Sequence, residues 1–229
     1  GLAAMSGVLV FTARADGAGE RRLTGEYLRQ GLLFGVLLGF PCLFVLMAWA
    51  ETLLLLVGVP PGIAGEGGAV VRAMALAYPF QFVQVATSYF LEGVSRPRRV
   101  MVVNLATLPL NGILAWAWVG GHLGLPARGA VGAVLATAVV SGLGAAGILW
   151  AAWTLPDAAE RGVRDISWAA WRRAWAGLYA HVRFGLVPAI ASGLELAGFS
   201  WLIVLSTQIG PAAAAAFQTV FSLHNFAFS

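Results

Sequence analysis

The sequence predicts an all-α protein that crosses a membrane several times, and three observations carry that reading. Apolar residues fill 59% of the 229 positions and charged residues only 10%, where a soluble domain carries about 25% charged residues. The apolar positions are gathered into long uncharged runs, most of them near or above the roughly 20 residues that span a bilayer as a helix. The basic residues between those runs then alternate from one connection to the next, as a polytopic chain requires.

The runs justify the elements in order. Residues 31–50 carry no charge, and neither do 73–91, 100–119 and 129–155. Gln81 and Gln84 interrupt the second of these, and Asn104 and Asn111 lie in the third. Residues 184–210 hold one charge, Glu195. Two shorter apolar runs, 1–13 and 211–229, flank the set, and the latter contains His224 and Asn225. Because the chain opens at Gly1 inside one apolar run and closes at Ser229 inside another, it reads as an internal fragment of a longer protein. No basic region precedes the first run, so it does not read as a signal peptide.

All 14 basic residues are arginine. Twelve fall in alternate connections: Arg14, Arg21, Arg22 and Arg29, then Arg96, Arg98 and Arg99, then Arg161, Arg164, Arg172, Arg173 and Arg183. The intervening connections hold only Arg72 and Arg128. The arginine-rich side is cytoplasmic by the positive-inside rule. The net charge of +4 and the pI near 10 are therefore topology signals, and no nucleic-acid partner is implied. A single cysteine, Cys42, excludes an internal disulfide.

Between the runs, Pro60, Pro61, Gly62, Gly65, Gly67 and Gly68 predict a helix-breaking outer loop over 51–72, with Leu53 to Val59 a helix extension or an interfacial segment. Over 156–183, Trp168, Trp171, Trp175, Leu178 and Val182 recur at steps of three and four, with Arg172, Arg173 and His181 off the stripe. That pattern predicts an amphipathic helix on the cytoplasmic membrane surface, dividing the spans into two groups. Small residues at every fourth position (Gly31, Gly35, Gly39; Thr137, Ser141, Ala145; Gly193, Ala197) predict close helix packing. Pro41, Pro79, Pro109 and Pro188 sit within or beside spans, where they bend helices.

Glu195 is the sharpest chemical signal. It is the twelfth residue of its run, so at about 1.5 Å per residue it lies near mid-membrane. An acid there is costly and points to function. A carboxyl that is neutral when occluded and charged when hydrated can exchange a proton for a cation. Asn104 and Asn111 share one face of a helix, as do Gln81, Gln84 and Ser88, which could line an aqueous cavity. Glu51 and Glu92 sit at span edges within reach of water. No catalytic triad, phosphate loop or metal-ligand spacing is present. The absence of lysine removes a retinal-type receptor.

Several segments in order are familiar. "ARADGAGERR" (13–22), "LEGVSRPRRVM" (91–101), "LPLNGILAWAWVGGHLGLPARGAVGAVLATAV" (108–139) and "FGLVPAIASGLELAGFSWLIVLSTQIG" (184–210) resemble the second to seventh spans and loops of the multidrug and toxic compound extrusion (MATE) family. The resemblance implies twelve helices in two lobes. Residues 1–155 would be the amino-terminal lobe from the end of span 2 through span 6. Residues 156–183 would be the cytoplasmic linker between lobes. Residues 184–229 would begin the carboxy-terminal lobe, with span 7 and part of span 8. It also implies an antiporter, not an enzyme, that exports small organic cations or amphiphilic drugs in exchange for sodium ions or protons. Such a protein would work without a cofactor, as a monomer in the cytoplasmic membrane of a bacterium. The family's seventh-span acid falls on Glu195, its fifth-span Asn on Asn111 and its sixth-span Thr on Thr137, with Gln81, Gln84 and Asn104 as cavity-lining candidates. Ala115 stands where many members carry Asp or Asn. The competing reading is a lipid-linked oligosaccharide flippase of the same superfamily, and a more distant one is a membrane-embedded enzyme or receptor. Flippases place basic residues in the central cavity, whereas every arginine here lies at a span edge or in a loop.

Overall fold

Hydrocarbon offers no partner for a backbone N–H or C=O, so an apolar run must satisfy its own hydrogen bonds, and it does so as a helix. The computed structural model describes residues 2–210 and 219–220. Seven α-helices occur among them: α1 (Ser6–Gly17), α2 (Arg21–Leu56), α3 (Pro61–Ala75), α4 (Tyr78–Gly93), α5 (Pro97–Gly120), α6 (Gly129–Trp153) and α7 (Trp168–Ile209). No strand occurs among the described residues. Among the described residues, five stretches are long and apolar enough to cross a membrane: α2, the combined Pro61–Gly93, α5, α6 and Trp168–Phe199. The 211–229 run, with His224 and Asn225, lies outside the described residues apart from 219–220.

Proline starts α3 and α5 and lies in the first turn of α4, where its fixed φ suits the helix and its missing N–H is no loss. Gly121 closes α5 in the left-handed conformation, with φ 72°, a cap that glycine adopts without strain. Helix α4 lies at the centre of the bundle, in contact with α1, α2, α5 and α6.

The α2 glycines pack as their spacing predicts. A Cβ on Gly31 would meet the Val8 side chain at 2.6 Å, one on Gly35 the Phe82 backbone at 3.3 Å, and one on Gly39 the Pro79 Cα at 2.7 Å. Each glycine thus brings α2 against α1 or α4 more closely than any larger residue allows. Ser141 and Ala145 of α6 are buried as well, whereas Gly193 and Ala197 are exposed.

Two expectations are corrected. The 51–72 segment is not a helix-breaking loop: after a kink at Trp49, with φ −121° and ψ 16°, α2 resumes and runs to Leu56, a second break falls in the residues before Pro61, and α3 incorporates Gly62, Gly65, Gly67 and Gly68. The reason is packing. A Cβ on Gly67 would press on Leu54 of α2 at 3.0 Å, and Gly68 lies in contact range of Glu51, at 3.4 Å, so this face of α3 packs against a neighbouring helix. The 168–183 segment is not a separate surface helix either. It is continuous with the following span in one helix of 42 residues. Its buried face is Ala170, Ala174, Leu178, His181 and Gly185, so Leu178 leaves the tryptophan stripe and His181, off that stripe, is buried. The His181 ring is only 1% exposed. It meets Phe11 edge-on at 4.7 Å, with Tyr27 at 5.7 Å.

The chain divides into two compact units, Gly1–Gly185 and Leu186–Ser229, and the boundary falls inside α7. In the first unit, the core joins Val8, Leu28, Phe90, Leu91, Ile148 and Leu155. The segment between α6 and α7 is strapped to this core. Arg161, 5% exposed, pairs with Asp16 at the end of α1 and with Asp157 at 2.7 Å. The Gly25 N–H donates to the Arg161 carbonyl at 3.0 Å. Arg29 donates to the carbonyls of Gly162 and Asp165, at 2.6 and 3.1 Å. Arg99 caps the end of α6 through Ala151 O and the Thr154 hydroxyl. Burial pushes the Asp157 carboxyl up, but the hydrogen bond and charge of Arg161 outweigh it and hold the group below the ordinary carboxylate value. Burial likewise weakens proton retention on Arg161, and its bonds to Asp16 and Asp157 reverse the sign.

Candidate functional site

Helix α4 has two unlike sides. Gln81, Gln84, Ser88 and Glu92 fall at i, i+3, i+7 and i+11, on one helical face. They meet Val100 and Asn104 of α5 across a cleft of about 450 Å³ that also includes Val85 and Tyr89. Gln84 Nε2 donates to Asn104 Oδ1 at 3.1 Å. A Cβ on Gly144 of α6 would stand 3.1 Å from the Gln84 amide oxygen, so that glycine leaves room for the amide. On another side, Pro79, Phe80 and Val83 join Val36 and Phe40 of α2 and Val139 of α6 around an apolar cavity of about 710 Å³.

The structure therefore brings Gln81, Gln84 and Asn104 together. Asn111, two turns along α5 from Asn104, is not part of the cleft lining, and its Oδ1 is buried without a hydrogen-bond partner. The Thr137 hydroxyl donates within its own helix, to Ala133 O at 3.2 Å. Glu195 belongs to the second unit and is exposed there. Glu92 and Tyr89 join the cleft although the span-edge position of Glu92 argued for little. The signal that finds Glu92 is its place one turn beyond Ser88 on the same face. No group of three or more His, Cys, Asp or Glu able to hold a metal occurs among the described residues.

These cleft amides are the polar groups that an adaptable site needs, and Glu92 is the one acidic residue of the lining. They can donate or accept, and no arginine stands among the lining residues. The arginine side chains that hydrogen-bond in the first unit do so at the linker end, with Glu160, Asp16, Asp157, the Thr154 hydroxyl or carbonyls of the linker and of the end of α6.

Comparison with known proteins gives the arrangement relatives. The MatE family model matches residues 1–117. The probable multidrug resistance protein NorM of Caulobacter vibrioides is 29% identical over 95% of this chain and 45% of its own length. NorM of Vibrio parahaemolyticus is 24% identical over 100% of this chain and 49% of its own. PmpM of Pseudomonas aeruginosa, also a multidrug resistance protein, is 31% identical over 59% of this chain and 29% of its own. The crystal structure of the eukaryotic MATE transporter AtDTX14 superposes with a TM-score of 0.80 at 21% identity, over 96% of this chain and 48% of that one. That likeness is one of fold. The chain spans about half the length of the curated relatives it matches. With the family model covering more than half of the residues and the same helical fold recurring in a solved relative, the chain belongs to the MatE family.

Proposed function

We propose that this chain is part of a secondary antiporter that exports cationic or amphiphilic drugs in exchange for sodium ions or protons, by alternating access of two lobes. The observation that carries the reading is the polar cleft on α4 and α5, set among apolar helices of a MatE-family chain. Neutral amides can satisfy varied polar groups, and the apolar cavity across α4 offers room for hydrophobic bodies. Glu92, at the rim of the cleft, favours positive charge. The cleft lining contains no arginine, which fits cationic substrates and disfavours pyrophosphate-bearing lipids. The multidrug resistance proteins among the relatives support the same reading. The protein is then a carrier in the bacterial cytoplasmic membrane and makes no covalent change to its substrate.

In this reading Glu195 couples the two fluxes. An acid deep in an apolar helix is expensive to leave charged and unpaired, so it cycles between protonated and cation-bound forms. The test uses the full-length protein in proteoliposomes. Glu195→Gln keeps the size and hydrogen-bonding capacity of the side chain but removes its titration. It is expected to abolish drug-dependent proton or sodium movement and to leave folding intact, while Glu195→Asp keeps partial activity. Wild-type coupling in Glu195→Gln overturns the assignment.

A further inference from the structure

Two crevices on the arginine-rich end of the first unit share both of their walls. One, of about 320 Å³, lies among Leu33 of α2 and Trp168, Trp171, Arg172 and Trp175 of α7. The other, of about 350 Å³, is polar and lies among Arg22, Glu26 and Arg29 of α2, Gly162 and Asp165 of the linker, and Arg173 of α7. Leu33 is one turn along α2 from Arg29 and two from Glu26, and Arg172 adjoins Arg173 in sequence. The crevices therefore follow one another along the same pair of helices, the apolar one farther from the arginine-rich end of α2.

We infer that this amphipathic groove between α2 and the start of α7 binds one anionic phospholipid of the cytoplasmic leaflet, its acyl chain against the tryptophans and its phosphate at the arginines. Three arginines, 22, 29 and 173, share the polar crevice with two carboxylates, and Arg172 adds a fourth from the adjoining apolar crevice. The carboxylates are already engaged: Asp165 pairs with Arg173 at 3.6 Å, and Glu26 accepts from Gln30 at 3.4 Å. Arg29 is 6% exposed, and its Nε has no hydrogen-bond partner although Nη1 serves two carbonyls. Arg22 and Arg172 are exposed and form no ion pair among the described residues. The groove thus has positive charge to spare at one end and aromatic surface at the other. Trp168 is 82% exposed. Tryptophan belongs at the headgroup level, with its ring against lipid and its N–H toward water, and arginine beside it meets phosphate as a planar, multiple donor. The packing of Ala170, Ala174 and Leu178 against the rest of the unit fixes which face of α7 is turned outward. A loosely lying surface helix would not hold its arginines in register with those of α2.

The test is native mass spectrometry of the full-length protein in detergent, titrated with phosphatidylglycerol or with phosphatidylcholine of the same acyl chains. The expected result is one tightly retained phosphatidylglycerol and weaker phosphatidylcholine. Arg22→Gln with Arg172→Gln, both exposed and so compatible with folding, is expected to weaken phosphatidylglycerol about tenfold or more, since each arginine near an anionic headgroup contributes about fivefold. Arg22→Lys with Arg172→Lys is expected to keep most of the binding. Trp171→Ala with Trp175→Ala is expected to weaken both lipids. Equal retention of the two lipids by the unmodified protein overturns the inference, as does an unchanged titration in the Arg→Gln pair. Binding that is indifferent to the tryptophans and is displaced by glycerol 3-phosphate also overturns it, because the groove would then be a site for a soluble phosphate.

Discussion

The linker end of the first unit and the α4–α5 cleft are both polar regions in an apolar protein, but they use their polar groups in opposite ways. In the strap at the linker end, arginines 21, 99, 161 and 164 are engaged with carboxylates or with backbone carbonyls, and Arg161 is nearly sealed from solvent. In the cleft, Gln81, Gln84, Ser88, Glu92 and Asn104 share one side-chain hydrogen bond between them, Gln84 to Asn104. Polar groups that are fully committed to one another stabilise a fold, and those left with spare donors and acceptors are available to a ligand. The difference marks the strap over α1 and α2 as architecture and supports the proposal that the cleft receives a ligand.

The sharpest way to break this comparison is at Arg161. Arg161→Ala leaves Asp16 and Asp157 without their shared partner, and removing one member of a largely buried ion pair costs about 3 kcal/mol. The purified full-length protein is expected to melt at clearly lower temperature, and an unchanged Tm would show the strap to be ornamental. Gly25→Ala comes next. Its Cβ would stand 2.1 Å from the Arg161 carbonyl oxygen, a backbone atom, so the linker must move away and the Gly25–Arg161 hydrogen bond is lost. Overpacking of this kind costs about 1–3 kcal/mol, again visible in Tm.

Acid titration sharpens the comparison from another side. The Asp157 carboxyl is held below its ordinary value, so its contribution is complete above the unfolded-state value of about 4. It is then lost as pH falls through the lower folded-state value. Tm is expected to be flat between neutral and mildly acid pH, to decline below about pH 4, and to decline less steeply in Asp157→Asn. A steeper decline in that variant would reverse the sign of the argument. The smallest stability effect belongs to the cleft: Gln81→Ala and Ser88→Ala should shift stability by no more than about 0.5 kcal/mol while lowering drug transport in proteoliposomes. A large loss of stability there, with transport intact, would make the cleft structural.

Much of this was legible in the chain itself. Long uncharged runs predict helices because lipid leaves the backbone no other way to pair its polar groups, and the α2 glycines predict a close contact because only the lack of a side chain permits one. The face shared by Gln81, Gln84 and Ser88 follows from 3.6 residues per turn. Less legible was what a residue type does when a neighbour is present. Gly67 reads as a breaker and serves as a contact, because a glycine opposite Leu54 removes a tight approach instead of loosening a helix. The arginines read as topology signals, and the structure adds that Arg29, Arg99 and Arg161 also satisfy carbonyls and carboxylates from elements far away in sequence.

By itself, then, the sequence determined the fold class, the helical runs and which of their faces are polar, since each depends on residues within a few turns of one another. Only the tertiary structure decided that α7 runs unbroken from Trp168, that His181 is buried beside Phe11, and that Gln84 and Asn104 meet across two helices. Those outcomes depend on which elements become neighbours, and burial and hydrogen bonding between distant segments are properties of the pair, not of either strand of sequence alone.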